Sequence, residues 1–224
     1  MFNAKSLLDN LTGGQGVQGL TDKAKQTWDG QSALGKGAIA GGLLGLLLTG
    51  GGRKILGTGA KVGASALIGG LAYQAWQDWK KGKEPAADPV TLPAAEGTVF
   101  LPSDSTAAND LSARLLQAMV SVAKADGHVT PDERARIDEA LQRMGLEAEA
   151  EALIKAELDA PLDVRRIAGL ARSPEEAAEI YAASLLVADD QSLEEKGYLA
   201  MLAAALNLEP GLVQHLEARV AGVS

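Results

Sequence analysis

Two kinds of hydrophobic pattern divide the chain. From Gly37 to Gln77 the only charged residues are Arg53, Lys54 and Lys61, which separate two uncharged stretches, Gly37–Gly52 and Val62–Gln77. Beyond residue 105, apolar positions recur at helical spacing, and no run alternates with the two-residue period of a strand. Leu111, Leu115, Met119 and Val122 mark a first helix ending near Ala125. Ile137, Leu141 and Met144 mark a second, closed by Gly145 where a left-handed cap is favoured. Glu147–Asp159, Leu162–Ala171, Pro174–Val187, Leu193–Leu206 and Pro210–Val220 bring the set to seven. The expected fold class is all-α.

The apolar stretch reads as a membrane-associated helical hairpin. Each uncharged segment has 16 residues, about 24 Å as a helix against a hydrocarbon core of about 30 Å. Gly37, Gly41 and Gly45 share one helical face, and Gly59 and Gly63 repeat the spacing. In lipid such small-residue faces let helices approach closely, within one chain or between copies of it. A turn at Gly50-Gly51-Gly52-Arg53-Lys54 closes the hairpin, and Tyr73, Trp76 and Trp79 followed by Lys80, Lys81 and Lys83 form an aromatic belt with a basic flank. The competing reading is a glycine-rich soluble segment, or a hairpin buried in a larger globular core. The stretch begins too far into the chain for a cleaved signal peptide. Before it, Ser6–Leu11 and Leu20–Trp28 are short helical segments that either lie on a membrane surface or stay disordered.

Composition sharpens this division. Residues 1–102 hold 20 of the 26 glycines and carry 10 Lys+Arg against 7 Asp+Glu, whereas residues 103–224 carry 11 against 22. Four of the eight prolines, Pro85, Pro89, Pro93 and Pro102, fall between Gly82 and Asp104 and predict a semi-extended linker. The expected organisation is an N-terminal segment 1–36, a Gly-rich hairpin 37–81, a Pro-rich linker 82–104 and a compact helical domain 105–224. The absence of cysteine excludes thiol catalysis and cysteine-ligated metal, and a net charge of −8 argues against nucleic acid as a partner.

Within the acidic half, two segments match. Ala125-Asp126-Gly127-His128-Val129-Thr130-Pro131-Asp132-Glu133 and Ala188-Asp189-Asp190-Gln191-Ser192-Leu193-Glu194-Glu195 each follow an apolar helix and lead into another. Such an internal duplication suggests pseudo-twofold packing of two helical hairpins. Asp126, Glu133, Asp189 and Glu195 then offer four carboxylates for a hard divalent cation, Ca²⁺, Mg²⁺ or Mn²⁺. The same residues also read as helix starts. Thr130–Glu133, Ser192–Glu195 and Ser173–Glu176 are all capping boxes, and capping accounts for Glu133 and Glu195 unaided. Both readings stand at this level.

The Ala-Asp-Gly segment with its downstream glutamate, the degenerate second copy and the seven helices resemble the tellurite-resistance protein TerB and its relatives. The chain as a whole resembles the uncharacterised bacterial inner-membrane proteins typified by YebE. That resemblance implies a TerB-like helical domain, a proposed metal-ligand role for Asp126, Glu133, Asp189 and Glu195, and a link to membrane or metal stress. The second copy departs from the pattern, with Asp190 where the first has Gly127. The leading functional expectation is a non-enzymatic inner-membrane protein that displays the helical domain in the cytoplasm for metal-dependent sensing or scaffolding, with lipid and a protein partner as its contacts. The alternatives are a membrane-tethered helical adaptor without a metal site, and an uncharacterised enzyme.

Overall fold

The computed structural model describes residues 3–13, 64–87, 95–125, 134–135, 137–138, 148–188 and 192–222. Eight helices lie among them: α1 (Ala4–Gly13), α2 (Ala64–Lys80), α3 (Ser105–Ala123), α4 (Ala148–Asp159), α5 (Val164–Ala168), α6 (Pro174–Val187), α7 (Leu193–Ala205) and α8 (Pro210–Ala221). No strand occurs among the described residues, so the all-α expectation holds. The first hairpin arm, Gly37–Gly52, and its turn lie outside the described residues, as do Gly145 and most of the helix expected from Ile137.

Helix α6 is the centre of the body. Ala177, Ala178, Ile180, Tyr181, Ala182, Ala183 and Ser184 are all buried and point in every direction around its axis. A helix apolar on all sides must be enclosed, and α2, α3, α7 and α8 enclose this one. The start of α6 is fixed locally. The Ser173 hydroxyl accepts the Glu176 N–H at 3.2 Å, Pro174 occupies the first turn, and the helix covers the predicted residues. Helix α3 crosses beside it, burying Leu111, Leu115, Leu116, Met119 and Val122, and is capped by Asp104 accepting from Ala107 N–H at 2.8 Å. Helix α5 is shorter than the expected Leu162–Ala171, because Asp163 accepts from both Arg165 and Arg166 N–H and so starts the helix at Val164.

The second arm of the expected hairpin is corrected. Ala64–Lys80 is a core helix: Ile68, Leu71, Ala72 and Ala75 are fully buried, and α2 packs against α1, α6 and α8. Its aromatic residues face protein. Trp76 meets Trp79 and Phe100 edge-on at 5.4 and 6.1 Å between centroids, and Tyr73 meets Phe100 at 5.7 Å. The basic flank serves the same end, with Lys80 over the Trp76 ring at 4.9 Å and Lys83 on Asp78 at 2.7 Å. Of the alternatives, burial in a larger globular core describes this arm. No helix among the described residues is long and apolar enough to cross a membrane.

The N-terminal helix is also part of the body. Leu7 and Leu8 are buried, and α1 packs against α3 and α2. Asp9 accepts from the Ser65 N–H at 2.9 Å and the Ser65 hydroxyl at 2.6 Å, which places a carboxylate of α1 at the positive end of α2. One apolar cluster therefore runs from Leu7 through Ile68, Leu115 and Ile180 to Leu216. The Pro-rich stretch 82–104 joins helices that share this core rather than separating two cores, and Phe100 within it is itself buried.

Two contacts fix α2. At Gly69 a β-carbon would collide with the Phe100 carbonyl oxygen, so the helix lies there backbone against backbone. Near its end, buried Asp78 pairs with Arg219 of α8 as well as with Lys83. Gly69→Ala is expected to cost about 3 kcal/mol by overpacking. Gly197→Ala, exposed in α7 with nothing near the new methyl, should instead stabilise by about 1 kcal/mol. Urea denaturation of both variants checks the contrast.

The Lys83 and Arg219 hydrogen bonds hold the Asp78 carboxyl below its usual 3.8, against the opposing effect of burial. A depressed folded-state value means that the stabilisation is complete above the unfolded value and is lost as pH falls through the folded one. Asp78→Asn should cost about 3 kcal/mol at neutral pH. The gap to wild type should close below pH 3.8 in parallel melts.

Candidate functional site

Of the four carboxylates expected at the acidic turns, Glu195 is among the described residues; Asp126, Glu133 and Asp189 lie outside them, as do His128 and Asp190. Glu195 occupies the first turn of α7, where its N–H donates to the Ser192 hydroxyl at 3.1 Å. The backbone half of the expected capping box is thus formed. The Glu195 side chain is buried at 7% exposure, unlike that of an ordinary capping glutamate in water. Tyr198, one turn later, is buried on the same helix.

Around Tyr198 lies a polar layer that the sequence pattern did not single out. The Tyr198 hydroxyl donates to Ser121 Oγ of α3 at 2.9 Å. Lys124, just past the end of α3 and two residues before Asp126, is buried with its ammonium on the Glu157, Leu158 and Ala160 carbonyls at the end of α4. It satisfies carbonyls that the helix end leaves without intrahelical partners and complements the negative end of the dipole. Burial pushes Lys124 below its ordinary value, and the Glu157 charge opposes that shift. Glu157, 3% exposed, is gripped by both terminal nitrogens of Arg166 from α5. Such a fork gives planar, bidentate geometry. Lys124 thus ties the end of α3 to α4, and Arg166 ties α4 to α5. The carbonyls that Lys124 reaches are 33 to 36 residues away and Arg166 pairs with a glutamate of another helix, so neither carries a motif signal and only the structure reveals them.

A cleft of about 440 Å³ opens at the far end of α6. Trp76 and Trp79 of α2 line one side, with Ala177, Leu206, Leu208 and Leu212 completing the apolar wall. Polar groups stand at its edge: exposed Arg172, which pairs with Asp110 at 3.6 Å, together with Ser173, Asn207 and Glu209. The shape depends on how α7 ends. Asn207 adopts φ 53°, its N–H donates to the Ala204 carbonyl at 3.1 Å, and the Leu208 N–H reaches Ala203 at 3.0 Å. This Schellman closure turns the chain and sends Leu208 inward. Gly211, at the start of α8, leaves room for Trp79; a β-carbon there would sit 3.3 Å from the indole nitrogen. The volume falls within the range of ligand pockets, and its walls are both apolar and polar. Trp76 and Trp79 at a three-residue spacing were the legible signal. Their pairing with the α7–α8 turn, more than 120 residues away, was not.

Among the described residues no group of three or more His, Asp or Glu side chains is placed to hold a metal ion. No solved structure matches the chain. An uncharacterised protein encoded in the ampR 5′ region of Yersinia enterocolitica is 36% identical over 95 residues, covering 42% of this chain and 68% of that protein. Residues 33–220 match the family described as proteins of unknown function, DUF533, a span that includes α2, the shared core and the cleft, and the chain belongs to that family.

Proposed function

We propose that this protein is a non-enzymatic helical adaptor of the TerB-like kind, attached to the inner membrane through the apolar residues 37–63 and receiving a protein partner in the cleft beside Trp76 and Trp79. The cleft carries this reading, because it offers apolar area with two tryptophans and four polar groups at its edge, a composition suited to recognition. Tryptophan and arginine contribute disproportionately to partner binding when a contact closes over them. Membrane attachment is supported by the uncharged run from Gly37 to Gly52 and its glycine spacing.

Site-specific photocrosslinking in intact cells tests the adaptor reading. A benzoylphenylalanine at position 208 should give a discrete adduct that Trp79→Ala reduces about tenfold. The same probe at position 201, exposed on α7 and outside the cleft, should give none. Equal labelling at both positions, or an adduct indifferent to Trp79→Ala, would refute it. Deletion of 37–63 should move the protein from the membrane fraction to the supernatant.

Divalent-cation binding at the acidic turns is a second reading, favoured by the burial of Glu195 where a capping residue alone would lie in water. The donor set of Asp126, Glu133, Asp189 and Glu195 is all oxygen and suits a hard cation. Calorimetric titration of the full chain with Mn²⁺ or Ca²⁺ should then show saturable heat that Asp126→Ala and Asp189→Ala abolish. If capping alone is at work there is no heat, and Ser192→Ala costs about 1 kcal/mol.

A further inference from the structure

Among the buried carboxyls of the described residues, Glu179 is used by neither the cleft nor the acidic turns. Glu179, in the middle of α6, is fully buried, and neither of its oxygens has a hydrogen-bond partner among the described residues. One turn earlier, Glu176 takes the Arg114 guanidinium at 2.8 Å and the Arg172 N–H at 2.9 Å. Arg114 is thereby committed to Glu176, and its own Nε is also buried without a partner. Across from Glu179 lies Gly69 of α2, where a β-carbon would stand 3.5 Å from Glu179 Oε1. The carboxyl therefore rests against bare helix backbone at the seam between α6 and α2.

We propose that Glu179 is a proton-dependent latch on α2: while it carries its proton the helix stays seated against α6, and its ionisation drives α2 off that seam. An unpaired carboxylate in an apolar seam is far costlier than a neutral carboxyl. The charged groups that bear on Glu179 are Glu176 on its own helix, which opposes ionisation, and Arg114 from α3, which favours it; α2, α7 and α8 contribute none. Desolvation outweighs both and holds the carboxyl well above its ordinary 4.5. The α2 side is the one that meets the carboxyl, at Gly69. Parting the seam admits water to the carboxylate and uncovers Ile68, Leu71, Ala72 and Ala75, the apolar face next to the stretch that precedes α2. It also removes Trp76 and Trp79 from the cleft, so partner binding would weaken as the latch opens. That last consequence rests on the adaptor reading, whereas the latch can be measured with no partner present.

The sign follows from linkage. The seated form holds a proton that the parted form gives up, so seating weakens as pH rises above 4.5 until the seated carboxyl itself ionises. Hydrogen exchange of the full chain, corrected for the intrinsic rate at each pH, reads this directly between about pH 5 and pH 9. Protection of α2 amides should fall about tenfold per pH unit while that of α7 stays level. In Glu179→Gln and Glu179→Leu the α2 protection should be flat with pH. The latch is overturned if α2 protection in wild type does not depend on pH, if α2 and α7 lose protection together, or if Glu179→Gln retains the wild-type slope. The two variants guard against misfolding of either one, and their retained α7 protection shows that the body is intact.

Discussion

Close approach of helix backbones around α6 is the constraint on which the rest of the structure depends. With few aromatic side chains to fill space, the core around α6 is built largely on its alanines, and it closes only if the neighbouring helices come near enough to touch them. The largest fully buried side chains, Tyr181 and Tyr198, each send the hydroxyl to a neighbouring helix, Tyr181 to Glu217 and Tyr198 to Ser121. Helix α2 can seat against the Phe100 carbonyl because Gly69 has no side chain, and in that position it lies over Glu179 and brings the tryptophans to the α7–α8 turn. Core, latch and cleft thus share one geometric cause.

Charge is handled differently at the two ends of the body. Along the α2–α8 seam, Asp78 faces Arg219 and Lys83, so that a buried carboxylate is paired twice. In the polar layer, Glu157 faces Arg166 in a fork while Lys124 covers the end of α4. Both arrangements pair the carboxylates they bury, as a low-dielectric interior demands. Glu179 differs from these carboxylates, being enclosed with neither oxygen hydrogen-bonded among the described residues.

How much was legible varied with the range of the interaction involved. The start of α6 followed from the sequence because Ser173, Pro174 and Glu176 set it within four residues. The start of α7 at Ser192 and its end at Asn207 were local in the same way. The apolar stretch was ambiguous, since lipid and a protein core reward the same residues; α2 is uncharged between Ala64 and Gln77, which suits either solvent. What decided for the core was the complementary face supplied by α6 and α8, over 100 residues later. The aromatic residues show the same limit, because a Trp pair at helical spacing specifies a face but not what lies against it.

By itself the sequence determined the helical class, most helix limits in the acidic half and the caps that start α6 and α7. These rest on hydrogen bonds and periodicities that span one or two turns. Only the tertiary structure decided that α1 and α2 share a core with the acidic half, that Lys124 ties the end of α3 to α4 and Arg166 ties α4 to α5, that a cleft forms at Trp76 and Trp79, and that Glu179 is sealed against Gly69. Each of these depends on which distant surface excludes water from a given side chain, and no local pattern of residues encodes that.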